Sequence, residues 1–189
     1  MTVIWIFQQI HVSPLLVFLL SITVYAGHGG FAARLLTAAV CHELGHLFFL
    51  FYRKKPVYAL RFSTFGATIR TVELSYREDL ICSVLGPLVN LLLYLLFRSS
   101  REVFALCNLG LCLFNLLPMI PLDGGRMLRS MLVRLISTDE AANWLQIAKI
   151  LTGLFLLTAV IVLCRNRENG MVYILFSGLV ILKIMLSES

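Results

Sequence analysis

Long apolar runs separated by short polar and basic stretches make up most of the chain. A hydrophobic stretch of about 17–25 residues can cross a bilayer as a helix. Six stretches predict membrane spans, at residues 14–26, 31–52, 80–97, 103–117, 145–164 and 171–186. The first is short unless the preceding segment 3–10 lies in the membrane interface. We therefore expect an all-α membrane protein with about six transmembrane helices in a single domain, residues 1–189.

The segment 57–74 lacks a helical pattern. It reads VYALRFSTFGATIRTVEL, in which Arg61 and Arg70 alternate with apolar and β-branched residues and Gly66 stands between the halves. This pattern predicts a β-hairpin between the second and third spans. Because an open sheet edge cannot face lipid, the hairpin must lie at the interface or against a cavity. Its edge either pairs with an extended peptide or belongs to a structural interfacial loop, and both interpretations stay open.

Composition and charge place the chain in a membrane. Hydrophobic residues make up 59% and charged residues 14%, against roughly 45–50% and about 25% in soluble domains. The net charge of +6 comes from basic residues between apolar runs, which is typical of membrane topology, so we expect a lipid bilayer and no nucleic acid as partner. Ten Lys and Arg residues fall on the side of both termini and five on the other. This bias predicts that both termini are cytoplasmic.

The strongest chemical signal is HELGH at residues 42–46, inside the second predicted span. Imidazoles at i and i+4 lie on one helix face, so His42 and His46 can bind one metal ion. Glu43 between them can act as a general base towards water at that metal. Ionisable residues within a membrane span are costly and are by default functional. The alternative is a buried polar patch satisfied by neighbouring helices.

A catalytic zinc ion takes three protein ligands, so a third must come from elsewhere in the chain. The remaining acids, His11 and His28 are candidates, and Asp123 is favoured by its surroundings. Two prolines and two glycines break the helix around it in NLLPMIPLDGGR, residues 115–126. Broken backbone at membrane depth is tolerated against a water-filled cavity, where a carboxylate can bind a cation. The alternative is a turn residue that pairs with Arg126.

Together these motifs resemble the site-2 protease family of intramembrane zinc metalloproteases, peptidase family M50. The family pairs HExxH with a later N-x-x-P-x-x-x-L-D-G motif, and the chain has HELGH and NLLPMIPLDG. The resemblance implies one zinc ion bound by His42, His46 and Asp123, with Glu43 as the catalytic base. The pattern is closest to the stage IV sporulation protein FB type, which shares six spans and an element similar to IHVSP at residues 10–14. Many members of that type add a C-terminal CBS domain, which we do not expect here.

A third matching element is GPLVN at residues 86–90. The family's G-P-x-x-N asparagine lies near the active site and helps to hold substrate. By this resemblance Asn90 and Asn115 are candidate substrate-binding residues, and interhelical hydrogen bonds are the alternative role.

The resemblance implies an intramembrane zinc metalloendopeptidase that cleaves a membrane-associated protein within or near a transmembrane segment. Regulated intramembrane proteolysis of a transcription factor precursor or its regulator is the expected setting, in a bacterial cell membrane. A membrane protein substrate and a regulatory membrane protein are the expected partners, and the active site is expected to open to the cytoplasm. A transporter or a non-catalytic metal-binding scaffold could use the same polar cavity. A transporter usually has repeated halves, which this sequence lacks, and a scaffold would more readily lose Glu43.

Overall fold

The computed structural model describes residues 9–13, 17, 21, 24–63 and 66–164. Within these residues the chain is mostly helical. A short π-helical turn, Val24–His28, precedes five α-helices: α1 Gly29–Tyr52, α2 Tyr76–Phe97, α3 Glu102–Asn115, α4 Asp123–Leu132 and α5 Thr138–Cys164. Of these, α1, α2 and α5 are long and apolar enough to cross a membrane. The prediction of a helical membrane protein is confirmed at this level.

The predicted spans correspond to the helices with one difference. The second, third and fifth predicted spans coincide with α1, α2 and α5. The fourth corresponds to α3, whose 14 residues reach about 21 Å and fall short of a hydrocarbon core of about 30 Å. The first predicted span lies largely, and the sixth wholly, outside the described residues. The count of six spans therefore stays a prediction.

The chain divides into two compact units, Met1–Asn115 and Leu116–Ser189. In the first unit α2 packs against α1 and α3, and α1 also contacts α3. Its buried cluster joins the end of α1, the sheet and α2 through Phe49, Leu50, Val57, Leu60 and Cys82. In the second unit α4 contacts α5. The expectation of a single domain over residues 1–189 stays a prediction.

The predicted hairpin is confirmed, and it belongs to a three-stranded sheet. Strands β2 (Val57–Ser63) and β3 (Gly66–Thr71) are antiparallel, and β1 (Gln9–Val12) pairs in parallel with β2. The strand order is β1-β2-β3, so the N-terminal segment covers the free edge of β2 and leaves β3 as the other outer strand. An edge strand presents unpaired backbone groups that need partners. Here the backbone groups along one edge of β2 are paired with β1, about 50 residues away in sequence. The local sequence pattern did not predict this pairing.

A polar clamp ties the end of α1 to the start of α2. Ser75 forms a capping box with Glu78, whose carboxylate accepts from the Ser75 backbone N–H at 3.1 Å. The same carboxylate pairs with Arg53 at 3.0 Å and with Lys55 at 3.1 Å, both just after α1. The cap satisfies free N–H groups at the start of α2, and the exposed ion pairs add a weak, solvent-screened attraction. The clamp therefore helps to set the register between the helices that carry HELGH and GPLVN.

Candidate metal centre

His42 and His46 form a buried pair on one face of α1. They lie one helical turn apart, each is 5% exposed, and their Nε2 atoms are 3.2 Å apart. Nitrogen ligands about 2.0–2.1 Å from a tetrahedral zinc ion are separated by roughly 3.3 Å. The pair thus has the spacing of two ligands to one ion, as HExxH predicts.

Each imidazole is oriented through its other nitrogen. His46 Nδ1 donates to the backbone carbonyl of Cys82 at 2.9 Å, and His42 Nδ1 lies 2.6 Å from Oδ1 of Asn90. Because a carbonyl oxygen only accepts, the proton of His46 lies on Nδ1 and its Nε2 keeps a lone pair. Pro87 lies inside α2 and cannot donate to the carbonyl of Ser83. The carbonyl that holds His46 therefore lies beside an interruption of the α2 hydrogen-bond ladder.

Gly86 keeps the space beside both donor nitrogens open. A Cβ atom at this position would lie 2.5 Å from Nε2 of His46 and 2.7 Å from Nε2 of His42. No ordinary side chain tolerates such contacts, so α2 approaches the pair closely only because residue 86 is glycine. The Nε2 atoms of both histidines face a position that has no side chain. This arrangement leaves room for a metal ion that both nitrogens could bind.

Glu43 follows His42 in α1 and is half-buried. Asp123 begins α4 in the second unit and is 5% exposed. Its Oδ1 accepts from Nη1 of Arg126 at 3.4 Å, a long ion pair across one helical turn. That contact corresponds to the turn-residue alternative, and it occupies one of the two carboxylate oxygens. Its negative charge also lies at the helix N-terminus, where the helix dipole favours it.

The loop before Asp123 packs tightly against the start of α4. A Cβ atom at Gly124 would collide with the backbone carbonyl of Leu116, and one at Gly125 would collide with the backbone of Met119. The helix can start directly against this loop only because both positions lack a side chain. The two glycines of LDGG thus fix the position of Asp123 within the second unit.

The two candidate substrate-binding asparagines differ in their contacts. Asn90 is fully buried in α2 and contacts His42, the backbone of α1 and Asn108. Asn115, at the end of α3, is half-buried and donates to the carbonyl of Leu111 at 3.1 Å in its own helix. The substrate role of both residues stays a prediction. Sequence reasoning missed Asn108, although an asparagine inside the apolar stretch 103–117 was a readable signal.

Known proteins are similar to this chain in sequence and in fold. Residues 95–159, which contain the NLLPMIPLDG motif, match the family model of peptidase family M50. Stage IV sporulation protein FB of Bacillus subtilis is 32% identical over 136 residues, which are 64% of this chain and 46% of that protein. The predicted resemblance to peptidase family M50 is confirmed.

A second curated relative and a solved structure extend the comparison. A zinc metalloprotease of Methanocaldococcus jannaschii is 28% identical over 149 residues, covering 68% of this chain and 44% of that protein. The solved structure of a site-2 protease from the same organism superposes with a TM-score of 0.59 at 18% identity, over 92% of this chain and 87% of that one. The chain spans less than half the length of the curated relatives it matches.

Replacing Gly86 tests whether the space beside the imidazoles receives a metal. Gly86→Ala is expected to lower the affinity for added Zn²⁺ by about tenfold or more, because the new methyl group meets both Nε2 atoms. Gly110→Ala in α3 is the matched control, since a Cβ there meets nothing within 4 Å, and it should leave metal binding unchanged. Chelator competition on the purified full chain measures both. Wild-type affinity in Gly86→Ala would show that the metal does not lie there.

Proposed function

We propose that the protein is an intramembrane zinc metalloendopeptidase that cleaves a membrane-associated protein within or near a transmembrane segment. The buried His42–His46 pair carries the proposal, because two oriented imidazole donors lie 3.2 Å apart in a helix apolar enough to span a membrane. Similarity to peptidase family M50 and to relatives named as zinc metalloproteases supports it.

The proposed zinc ligands are Nε2 of His42, Nε2 of His46 and a carboxylate oxygen of Asp123. Three protein ligands leave one position open, as a catalytic site requires. The motif around Asp123 supports its assignment, together with the preference of zinc for nitrogen and oxygen donors. When bound, zinc would lower the pKa of a coordinated water molecule to about 7 and polarise a substrate carbonyl.

Glu43 is the proposed general base and acid. Its carboxylate takes a proton from the attacking water and then gives it to the amine that leaves as the peptide bond breaks. A peptide bond in an intact transmembrane helix is shielded by the hydrogen bonds of that helix, so the substrate must unwind locally before it is attacked. Asn115 and Asn90 are the proposed substrate-binding residues. Because both amide N–H groups of Asn90 are already used, Asn90 could contribute to substrate only through its oxygen.

The proposed substrate is a membrane-tethered transcription factor precursor or its regulator, and a second membrane protein is the proposed regulatory partner. Similarity to stage IV sporulation protein FB over 64% of the chain supports this setting. Capture of a partner by a cleavage-deficient variant identifies the substrate directly.

Two carboxylate variants separate metal binding from catalysis. Glu43→Gln is expected to keep stoichiometric zinc and to lose cleavage by about 10²–10⁴-fold. Asp123→Asn is expected to lose zinc, because a neutral amide is a weaker ligand than a carboxylate. Metal analysis of the purified chains and identification of proteins that co-purify with Glu43→Gln provide the readouts.

Two exposed acidic residues near helix starts provide matched controls. Glu102→Gln is the control for Glu43→Gln, and Asp139→Asn is the control for Asp123→Asn. Both should keep zinc and activity. A lack of zinc in wild type and Glu43→Gln alike contradicts the metalloprotease proposal. Normal zinc retention in Asp123→Asn assigns the third ligand to another residue.

We also propose a bacterial cell membrane location, with both termini and the active-site opening on the cytoplasmic side. The excess of basic residues on that side supports the orientation, including Arg53, Lys54 and Lys55 directly after α1. In a cysteine-free background, Ser100→Cys should react with a membrane-impermeant thiol reagent in intact cells. Ser137→Cys should react only after permeabilisation. The opposite pattern would invert the orientation.

A further inference from the structure

A chain of buried amides links α3 to the metal-facing histidine of α1. Asn90 and Asn108 are both completely buried. Nδ2 of Asn90 donates to the carbonyl of Ala38 at 3.1 Å and to Oδ1 of Asn108 at 2.8 Å. Nδ2 of Asn108 donates to the carbonyl of Phe104 at 2.9 Å. All of these residues belong to the first compact unit.

Backbone carbonyls fix the direction of every hydrogen bond that links Asn108, Asn90 and His42. The carbonyl of Phe104 can only accept, so Asn108 must turn its NH₂ group towards it and its oxygen towards Asn90. That oxygen, together with the carbonyl of Ala38, then requires the NH₂ group of Asn90. The oxygen of Asn90 is left for His42 at 2.6 Å, so Nδ1 of His42 must donate. Nε2 of His42 consequently holds the lone pair that a metal needs.

We propose that Asn108 is a positioning residue for the metal centre, which together with the carbonyl of Ala38 holds the amide orientation of Asn90 and through it the tautomer of His42. The inference rests on the proposed zinc site. Asn108 touches no ligand nitrogen itself and acts through Asn90. The orienting partners of metal-bound histidines typically change metal affinity by about 10–100-fold when they are removed.

An ordinary structural role for Asn108 makes a different prediction. An interhelical hydrogen bond between apolar helices contributes to their packing. Its loss would then lower stability and leave the histidine tautomer unchanged. A measurement of the tautomer in the metal-free protein therefore separates the two roles.

The experiment compares two variants that differ at the accepting oxygen. Asn108→Leu removes the acceptor at similar volume, and Asn108→Asp keeps an oxygen facing Asn90. Asn108→Ala replaces the leucine variant if that variant does not fold. Cys112→Ala is the matched control, because Cys112 is buried in α3 one turn later and its truncation perturbs packing alone.

Two readouts are taken on the full chain in detergent. The ¹⁵N shifts of the His42 ring in the metal-free protein, assigned with His42→Gln, report which nitrogen carries the proton. Titration with Co²⁺ reports the metal affinity. We expect wild type, Asn108→Asp and Cys112→Ala to show protonated Nδ1, with dissociation constants for Co²⁺ that agree within about threefold. Asn108→Leu leaves Asn90 with one of its two acceptors, the carbonyl of Ala38, so the second His42 tautomer should become detectable and the dissociation constant should rise by more than threefold and by up to about 10–100-fold.

An unchanged tautomer and affinity in Asn108→Leu would overturn the inference, as would an equal loss of affinity in Cys112→Ala. Failure of the wild type to bind Co²⁺ would instead count against the proposed zinc site. In that case the tautomer measurement still decides whether Asn108 orients His42.

Discussion

The cost of placing polar atoms inside an apolar helix bundle is the constraint on which the first unit of this protein depends. A buried polar group without a partner costs several kcal/mol in hydrocarbon. The Nδ1 atoms of His42 and His46 meet that constraint through an asparagine oxygen and a backbone carbonyl. Both Nε2 atoms then face the same space, 3.2 Å apart. The hydrogen bond at Nδ1 of each ring thus leaves the lone pair of Nε2 directed to a position where it could bind a cation.

Close approach of the backbone is the second structural requirement of the candidate metal centre. It explains the glycines of the GPLVN and LDGG motifs. Gly86 lets α2 come so near the two imidazoles that a methyl group would meet their nitrogens. Gly124 allows α4 to begin directly against the loop that precedes Asp123. In each unit a candidate ligand thus lies where neighbouring backbone approaches closely. A binding site needs such a supporting framework to hold its geometry.

Much of this arrangement could be predicted from local sequence. The apolar runs predicted α1, α2 and α5, because hydrophobic length is a local property, and the alternation around Gly66 predicted the hairpin. The spacing of HELGH placed both imidazoles on one face without any tertiary information. The pairing of β1 with β2 could not be predicted in this way, since it joins segments about 50 residues apart. The link from Asn108 to His42 likewise depends on how three helices pack, and no local pattern encodes it.

Asn90 shows how a family pattern and a structure inform each other. The G-P-x-x-N element predicted an asparagine near the active site, and Asn90 lies against His42. Its donors are directed to Ala38 and Asn108, so its oxygen both orients the histidine and is the one group left for the proposed contact with substrate. The sequence motif located the residue, and the hydrogen bonds indicate how it acts.

The proposed zinc ligands are two imidazoles and one carboxylate. X-ray absorption at the zinc edge of the purified full chain measures that ligand set directly. The proposed ligand set predicts only nitrogen and oxygen neighbours at about 2.0–2.1 Å, with outer-shell scattering from two imidazole rings. A sulfur neighbour at about 2.3 Å or scattering from three or more rings would contradict it.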